Sequence, residues 1–136
     1  MIDSGYSGTP LPRKLGVKPE SRVLVVAAPP GFGLEPMPAG ATVHTRAGRS
    51  AYDVVLAFCP DARRLRDRFG KSAERLTTAG ALWIAWPKTA SGVATDLDEN
   101  VVREIGLDQG LVDVKVIAID ETWSGLKFVR RLRDRG

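Results

Sequence analysis

Residues 79–131 decide the fold, and they read AGALWIAWPK-TASGVATDLDENVVREIGL-DQGL-VDVKVIAIDETWSGLKFVRR. This stretch predicts a strand, a loop that leads into a helix, and two further strands joined by a turn. The elements predicted in the earlier part of the chain are expected to pack against this unit.

The segment Ala81–Trp86 is almost wholly apolar and lies between Gly80 and Pro87. A short continuous apolar run of this kind is typical of a strand buried on both faces, as in a parallel sheet. Trp83 and Trp86 are three residues apart, so in a strand their side chains point to opposite faces. We expect Trp83 to lie in the core.

A helix is predicted after the following polar loop. Thr95 and Asp96 are both able to cap its N-terminus, with Asp98 and Glu99 three residues further on as the partners of a capping box. Gly106 is expected to end the helix. Four apolar residues share one face at helical spacing, namely Leu97, Val101, Val102 and Ile105.

The C-terminal part predicts a strand over residues 114–119 and a return strand over Leu126–Leu132. Between them, Trp123-Ser124-Gly125 is interpreted as the turn. A connection this short requires the two strands to run antiparallel.

The earlier chain predicts further strands at Arg22–Ala28 and Tyr52–Cys59, with a weaker candidate at Ala41–Thr45. The stretch Pro29–Gly40 contains four prolines, and interior prolines remove donors and clash with the preceding helical turn. We therefore expect no regular helix between Gly31 and Gly40.

Helices are predicted at two places before residue 79. Pro60-Asp61 begins one that extends to about Thr78, with Leu65, Phe69, Ala73 and Leu76 on its apolar face. Thr9 caps a short one that has Pro10 at its first position. Residues 1–8 are expected to be flexible.

This alternation of strands and helices is typical of an open, mostly parallel α/β sheet. We expect five to six strands, helices on both faces, and the C-terminal antiparallel hairpin at one edge. Residues 1–136 should form a single domain.

Composition is that of an ordinary globular protein, with 43% hydrophobic and 26% charged residues. No window approaches the roughly 18 apolar residues that a membrane helix needs, and Met1–Gly16 has no apolar region of a secretory leader. The single cysteine, Cys59, cannot form an internal disulfide, which favours a cytoplasmic location. No membrane partner is expected.

The net charge of +4 comes largely from two basic clusters. One comprises Arg63, Arg64, Arg66 and Arg68, and the other is the tail from Lys127 to Arg135. Solvated surface is one interpretation, and contact with a polyanion is the other. No aromatic residues alternate with the arginines to stack bases, so binding of nucleic acid is not the favoured interpretation.

Three segments together resemble the Rossmann-type class I methyltransferase fold. Leu15–Leu24 is similar to the approach to its first strand and Tyr52–Phe58 to its fourth. Glu74–Leu76 followed by Gly80–Ile84 is similar to the entry to its fifth. The C-terminal hairpin corresponds to its last two strands. The resemblance implies a methyltransferase-like sheet.

The chain departs from that family where the cofactor would bind. The family has an acidic residue and a glycine-rich run after strand one, and this chain has Ala27–Gly33 with no acid. The family also ends strand two with an acid, where this chain has Val43-His44-Thr45-Arg46. We therefore expect no cofactor, and no productive binding of S-adenosylmethionine.

The chain is also similar to a small bacterial family known as domain of unknown function 3052. The segments that carry this resemblance are Gly5–Leu11, Trp86–Lys88, Ser91–Leu97, Asp113–Val116 and Trp123–Lys127. The family supplies no activity that can be transferred to these residues.

In an open α/β sheet, ligands bind beyond the carboxyl ends of the strands. That rule gathers Lys88, Thr89, Ser91 and Asp120 as groups that could orient a small anion or nucleotide. In the alternative interpretation, Lys88 and Asp120 pair with each other, while Ser91 and Thr95 cap the helix. Two tryptophans at strand ends, Trp86 and Trp123, either wall a pocket or pack in the core.

No catalytic or metal-binding group is predicted. Cys59 has no positioned base, so we expect a small buried residue. His44 is the only histidine, which makes a zinc site or a Ser-His-Asp arrangement untenable, and we expect it at the surface.

Three functions follow from the sequence. The main hypothesis is a non-catalytic, degenerate methyltransferase-like binding or regulatory module with a crevice near Lys88. The alternatives are a methyltransferase with a divergent cofactor loop and a basic protein that binds nucleic acid.

Overall fold

The computed structural model describes residues 8–135. The expected flexibility of residues 1–8 therefore falls, apart from Gly8, outside the described residues. So does the beginning of the segment Gly5–Leu11.

The described chain folds around a six-stranded sheet of order β2-β1-β3-β4-β6-β5. The strands are β1 (Arg22–Val26), β2 (Thr42–His44), β3 (Tyr52–Phe58), β4 (Leu76–Pro87), β5 (Leu111–Ala118) and β6 (Trp123–Arg130). β1 to β4 are mutually parallel, whereas β6 runs antiparallel to both β4 and β5. The predicted mostly parallel sheet with an antiparallel C-terminal hairpin is confirmed.

Helices cover both faces of the sheet, but unequally. The helices α2 (Ala62–Ala73) and α3 (Glu99–Asp108) pack on one face. The other face is covered by the one-turn helix α1 (Leu11–Lys14) together with the proline-rich loop, whose Leu34 is buried. As predicted, this loop contains no regular helix between Gly31 and Gly40.

The helix after β3 is shorter than the sequence predicts. It ends at Ala73 instead of Thr78, and Leu76 already belongs to β4, opposite Tyr52. The amide of Tyr52 donates to the carbonyl of Arg75 at 2.7 Å, which draws the chain into the sheet at this point. Leu76 is buried either way, so its apolar character did not distinguish the last turn of a helix from the first position of a strand.

The caps predicted for α3 are also wrong. Its N-cap is Asp98, whose Oδ1 accepts from the amide of Val101 at 2.9 Å. Thr95 and Asp96 bind the beginning of α2 instead. The Thr95 hydroxyl donates to the Pro60 carbonyl at 2.7 Å, and Asp96 Oδ1 accepts from the amide of Ala62 at 2.8 Å.

The glycine expected to end α3 lies inside it. Gly106 is buried against the ring of Phe128, which leaves no room for a β-carbon. The helix continues to Asp108, and Gly110, with a φ of +98°, makes the turn after it.

The last turn is also displaced from its predicted position. Trp123, Ser124 and Gly125 are the first residues of β6, and the turn occupies residues 119–122. Asp120 Oδ1 stabilises this turn by accepting from the amides of Thr122 (2.8 Å) and Trp123 (2.9 Å).

Two hydrophobic clusters fill the two sides of the sheet. The helix side contains Phe69 and Phe128, whose rings meet edge to face with centroids 5.2 Å apart. The loop side contains Trp83, which is fully buried as predicted. In residues 8–135 no helix combines the length and the apolar character needed to span a bilayer.

Candidate functional site

The loops that follow β1 and β5 border a cavity of about 530 Å³, which we name the edge cavity. It lies between the loop after β1, the start of α1 and the turn between β5 and β6. Its lining includes Thr9, Phe32, Glu35, Ile119 and Asp120. Its position agrees with the rule that ligands bind beyond the carboxyl edge of an open sheet.

The local sequence explains why this space is open. After β1 the chain takes a positive φ at Ala27 (+58°) and again at Gly31 (+82°), and it then runs through the proline-rich loop. Because no helix forms in this loop, the chain directly after β1 offers no helix N-terminus whose amides could bind a phosphate or carboxylate.

Acidic groups dominate the charge of the edge cavity. Glu35 and Asp120 line it, and no lysine or arginine of the described chain does. Oδ1 of Asp120 is occupied by the turn, whereas its Oδ2 makes no hydrogen bond to any residue in 8–135. These carboxylates can accept hydrogen bonds from hydroxyl or ammonium groups, and they disfavour an anion at the same position.

Lys88 lies beside the turn that carries Asp120. Its amide donates to the carbonyl of Thr122 at 2.8 Å. The Lys88 ammonium forms no ion pair with Asp120, nor with any other acidic residue of the described chain. β5, which leads into the turn of Asp120, is not hydrogen-bonded to β4, because β6 lies between them. Lys88 also does not line the edge cavity.

Thr89 and Ser91 lie in a single 3₁₀ turn, Thr89–Ser91, and neither caps α3. The Ser91 hydroxyl donates to the Lys88 carbonyl at 2.6 Å and accepts from the amide of Val93 at 3.2 Å. The Thr89 side chain is exposed. Ser91 therefore stabilises the loop, and Thr89 remains available to a ligand near Lys88.

The two tryptophans at strand ends do not wall a common pocket. Trp86 is buried in the cluster on the helix side, whereas Trp123 packs on the loop side. In the register of β4 and β6, Trp86 lies opposite Ser124, and Trp123 lies opposite Pro87. Side chains alternate along a strand, so the two indoles point to opposite faces.

An aromatic row adjoins the edge cavity. The Trp123 ring meets Phe58 edge to face at 5.1 Å, and Phe58 meets Phe32 in the same way at 4.9 Å. Phe32 also lines the cavity, so one end of this row is available to a ligand. Sequence reasoning missed Phe32 and Glu35 because a proline-rich loop has no periodicity that assigns its side chains to a face.

Cys59 and His44 have structural roles. Burial raises the pKa of the Cys59 thiol to about 12, against a smaller opposing effect of Arg68. His44 is half-buried rather than at the open surface, and its Nδ1 is hydrogen-bonded to the Tyr52 hydroxyl at 2.7 Å. No cluster of three or more metal-ligating side chains occurs within residues 8–135.

Several residues of the two basic clusters form ion pairs or hydrogen bonds within the chain. Arg64 pairs with Asp61 at 3.0 Å on the surface of α2. In the C-terminal segment, Arg130 donates to the carbonyls of Thr77 (2.7 Å) and Ala73 (3.1 Å). Both clusters predicted from the sequence are therefore partly engaged in intramolecular contacts.

Solved structures identify the class of fold. A SAM-dependent methyltransferase from Aquifex aeolicus aligns with a TM-score of 0.56 at 13% identity, over 85% of each chain. Fibrillarin, a pre-rRNA processing protein from Methanococcus jannaschii, aligns with a TM-score of 0.58 at 14% identity, over 84% of this chain and 68% of that one.

A TehB-like SAM-dependent methyltransferase from Corynebacterium glutamicum aligns with a TM-score of 0.54 at 8% identity, over 83% of this chain and 82% of that one. No protein-family model and no curated protein matches the chain. The chain therefore has a methyltransferase-like fold, and its resemblance to domain of unknown function 3052 stays a prediction.

Proposed function

We propose that this protein is a small-ligand-binding module on a methyltransferase-like fold, and that its ligand is a nucleoside or nucleotide held in the edge cavity. The observation that carries the proposal is the cavity itself, which joins free carboxylate oxygens to an aromatic ring at the carboxyl edge of the sheet.

The chemistry of the lining supports a nucleoside. Ribose hydroxyls are hydrogen-bond donors. Asp120 Oδ2 and the Glu35 carboxylate are acceptors that make no other hydrogen bond within residues 8–135. Phe32 offers an apolar surface for a base, and its ring is held by Phe58. A cavity of about 530 Å³ falls within the usual range for small-molecule sites.

In this proposal Lys88, which does not line the edge cavity, binds an anionic end of the ligand that extends out of the cavity. Its ammonium is not neutralised by an acidic residue of the described chain, and its backbone is hydrogen-bonded to the turn that carries Asp120. Thr89 supplies an exposed hydroxyl on the same loop, and the Ser91 hydroxyl stabilises that loop through its bond to the Lys88 carbonyl. A nucleotide would thus place its ribose toward Asp120 and its phosphate toward Lys88.

Calorimetric titration with adenosine and with adenosine 5′-monophosphate tests the proposal, using the Asp120→Asn variant. Asparagine keeps the Oδ1 acceptor that stabilises the turn but replaces the free carboxylate oxygen with an amide donor. We expect saturable binding to the unaltered protein and a loss of about tenfold or more in the variant. Equal affinities, or no saturation at millimolar ligand, would overturn the proposal.

A methyltransferase with a divergent cofactor loop is the second candidate. The fold favours it, because SAM-dependent methyltransferases are among the structures that align over most of the chain. The lining of the edge cavity argues against the family's usual mode of binding, since the loop after β1 contributes no acid before Glu35 and no helix start.

Titration with S-adenosylmethionine and S-adenosylhomocysteine separates the two candidates. Micromolar binding of either compound, with adenosine weaker by about a hundredfold or more, would support the methyltransferase. Comparable affinity for adenosine and S-adenosylhomocysteine would support a nucleoside-binding module, since the amino-acid part would then contribute nothing.

The nucleic-acid alternative predicts a different response. Binding of DNA or RNA through the basic surface should weaken steeply as salt increases, because counterions are released from each phosphate that is neutralised. Binding that is absent, or insensitive to salt, would remove this alternative.

A further inference from the structure

A second cavity lies on the opposite side of the sheet, beside α2. The connection between β2 and β3 contains no helix, and α2 packs on β3, β4 and α3. A concave space of about 260 Å³ therefore remains next to α2 over the end of β1, and we name it the helix-side cavity. Its lining includes Leu24, Val26, Thr45, Arg68, Lys71 and Arg75.

Three positive charges surround this small space. Arg68 and Lys71 are three residues apart on α2 and so share one face of the helix, and Arg75 follows just after its C-cap. None of the three forms an ion pair with an acidic residue anywhere in the part of the chain described. No Asp or Glu among residues 8–135 lines the cavity either. Such a concentration of one sign of charge in a concavity attracts a counter-ion.

Each arginine contacts a backbone carbonyl. Arg68 Nη1 donates to the carbonyl of Phe58, and the same guanidinium also interacts with the Cys59 thiol. Arg75 Nη1 lies 3.5 Å from the carbonyl of Gly48. A guanidinium has five N–H donors, so most donors of each group remain for a ligand. Two oriented guanidinium groups beside a lysine are the combination that recognises a phosphate group.

The floor of the cavity is apolar. Leu24 is buried in the sheet and Val26, at the end of β1, is half-buried. A free inorganic anion would gain nothing from these side chains, whereas the carbon skeleton of an organic phosphate would bury apolar surface against them. The volume is slightly below the roughly 300 Å³ at which ordinary ligand sites begin, which favours a small molecule.

We propose that the helix-side cavity binds a phosphate ester of a small, largely apolar molecule. The phosphate contacts Arg68, Lys71 and Arg75, and the organic part rests on Leu24 and Val26. This site is separate from the edge cavity, because Leu24 faces the helix side of the sheet and Phe32 packs on the loop side. The proposal therefore does not depend on a nucleoside binding at Asp120.

A phosphodiester of nucleic acid could offer the same anionic group. A strand crossing α2 would also contact its exposed outer arginines, Arg63 and Arg66, whereas a small ester inside the cavity would not. The two sources of phosphate can thus be distinguished by variants that remove the same charge from different faces of one helix.

The test measures the affinity for phenyl phosphate by calorimetry at about 0.15 M salt, where long-range attraction is screened. The double variant Lys71→Gln with Arg75→Gln removes two cavity charges from exposed positions, and Arg63→Gln with Arg66→Gln is the control of equal charge. Arg68 is left unchanged because it holds the end of β3. A single-stranded oligonucleotide provides the second arm.

We expect saturable binding of phenyl phosphate that weakens about tenfold or more in the cavity variant and by less than about twofold in the control. Phenol, which lacks the phosphate, should not bind measurably. Equal losses in both variants, no saturation by phenyl phosphate at millimolar concentration, or tighter binding of the oligonucleotide with equal losses in both variants would overturn the proposal.

Discussion

The indole nitrogen of Trp83 donates a hydrogen bond of 3.0 Å to the carbonyl oxygen of Leu15. This bond joins the middle of the sheet to the end of α1, across 68 residues of sequence. Both residues are fully buried, so neither the donor nor the acceptor has water as an alternative partner.

Replacing Trp83 with Phe should destabilise the protein by about 2–4 kcal/mol, because a buried carbonyl loses its donor and the smaller ring leaves a void. Urea denaturation measures the free energy of unfolding. Trp123→Phe is the matched control, since that indole is only half-buried, and it should cost clearly less. Equal costs would show that the bond to Leu15 contributes nothing.

Gly106→Ala should destabilise the protein although alanine favours helices, because a β-carbon would collide with the ring of Phe128. Gly70→Ala is the control within α2, where a β-carbon meets only the Gln109 amide oxygen at 3.7 Å. That change should stabilise by about 0.5–1 kcal/mol. Thermal unfolding of the two variants should therefore shift in opposite directions.

The revised capping of the helices can be tested by hydrogen exchange. Asp96→Ala should accelerate exchange of the Ala62 amide at the start of α2, and Asp98→Ala should accelerate exchange of the Val101 amide in α3. Each change should cost about 0.5–2 kcal/mol, as for other N-cap carboxylates. If Asp96→Ala accelerated amide exchange at the start of α3 instead, the N-cap predicted from the sequence would be supported.

Cys59 should be inert in the folded protein. With its pKa raised from 9.0 to about 12, the reactive thiolate at pH 8 is roughly a thousandfold scarcer than in the unfolded chain. Alkylation by iodoacetamide with and without denaturant measures the ratio. Fast labelling of the native protein would contradict the burial.

The raised pKa of the Cys59 thiol also affects the stability of the protein at high pH. A thiol whose pKa is raised on folding keeps its proton in the native state while the unfolded chain loses it, so the native state is favoured less as pH rises. We expect ionisation of Cys59 to leave the free energy of unfolding unchanged below pH 9 and to lower it between pH 9 and 12. Cys59→Ala should remove that part of the decline.

Lys88→Ala should change stability by only about 0 to 1 kcal/mol, since the ammonium has no ion-pair partner in the described chain and the backbone bond to Thr122 is kept. If Lys88 binds the phosphate of a nucleotide, the variant should lose affinity for adenosine 5′-monophosphate but not for adenosine. Equal affinities for the monophosphate in both proteins would exclude Lys88 from the site.

The sequence alone determined the order of the strands along the chain and the burial of the central apolar ones. Continuous apolar runs such as Ala81–Trp86 and Tyr52–Cys59 have one stable placement in a domain of this size, inside a sheet covered on both faces. The proline-rich stretch likewise excluded a helix after β1, because proline cannot donate the backbone bond that a helix requires.

Tertiary structure alone decided the boundaries, the caps and the site. Thr95 and Asp96 have the local chemistry of an N-cap, yet they bind the start of α2 across more than thirty residues of sequence. The fold brings the Pro60 carbonyl to the Thr95 hydroxyl and the Ala62 amide to the Asp96 carboxylate. A glycine is typical of a helix end, yet Gly106 lies inside α3, because the ring of Phe128 occupies the space that a β-carbon would take.

The residues that line the two cavities also could not be predicted from local sequence patterns. Phe32 and Asp120 line one cavity, and Leu24 and Lys71 line another beside α2, only because the sheet brings distant loops and a helix together. Periodicity reports which face of one element is buried, whereas a site is formed by contacts between elements, whose relative positions depend on the packing of the whole chain.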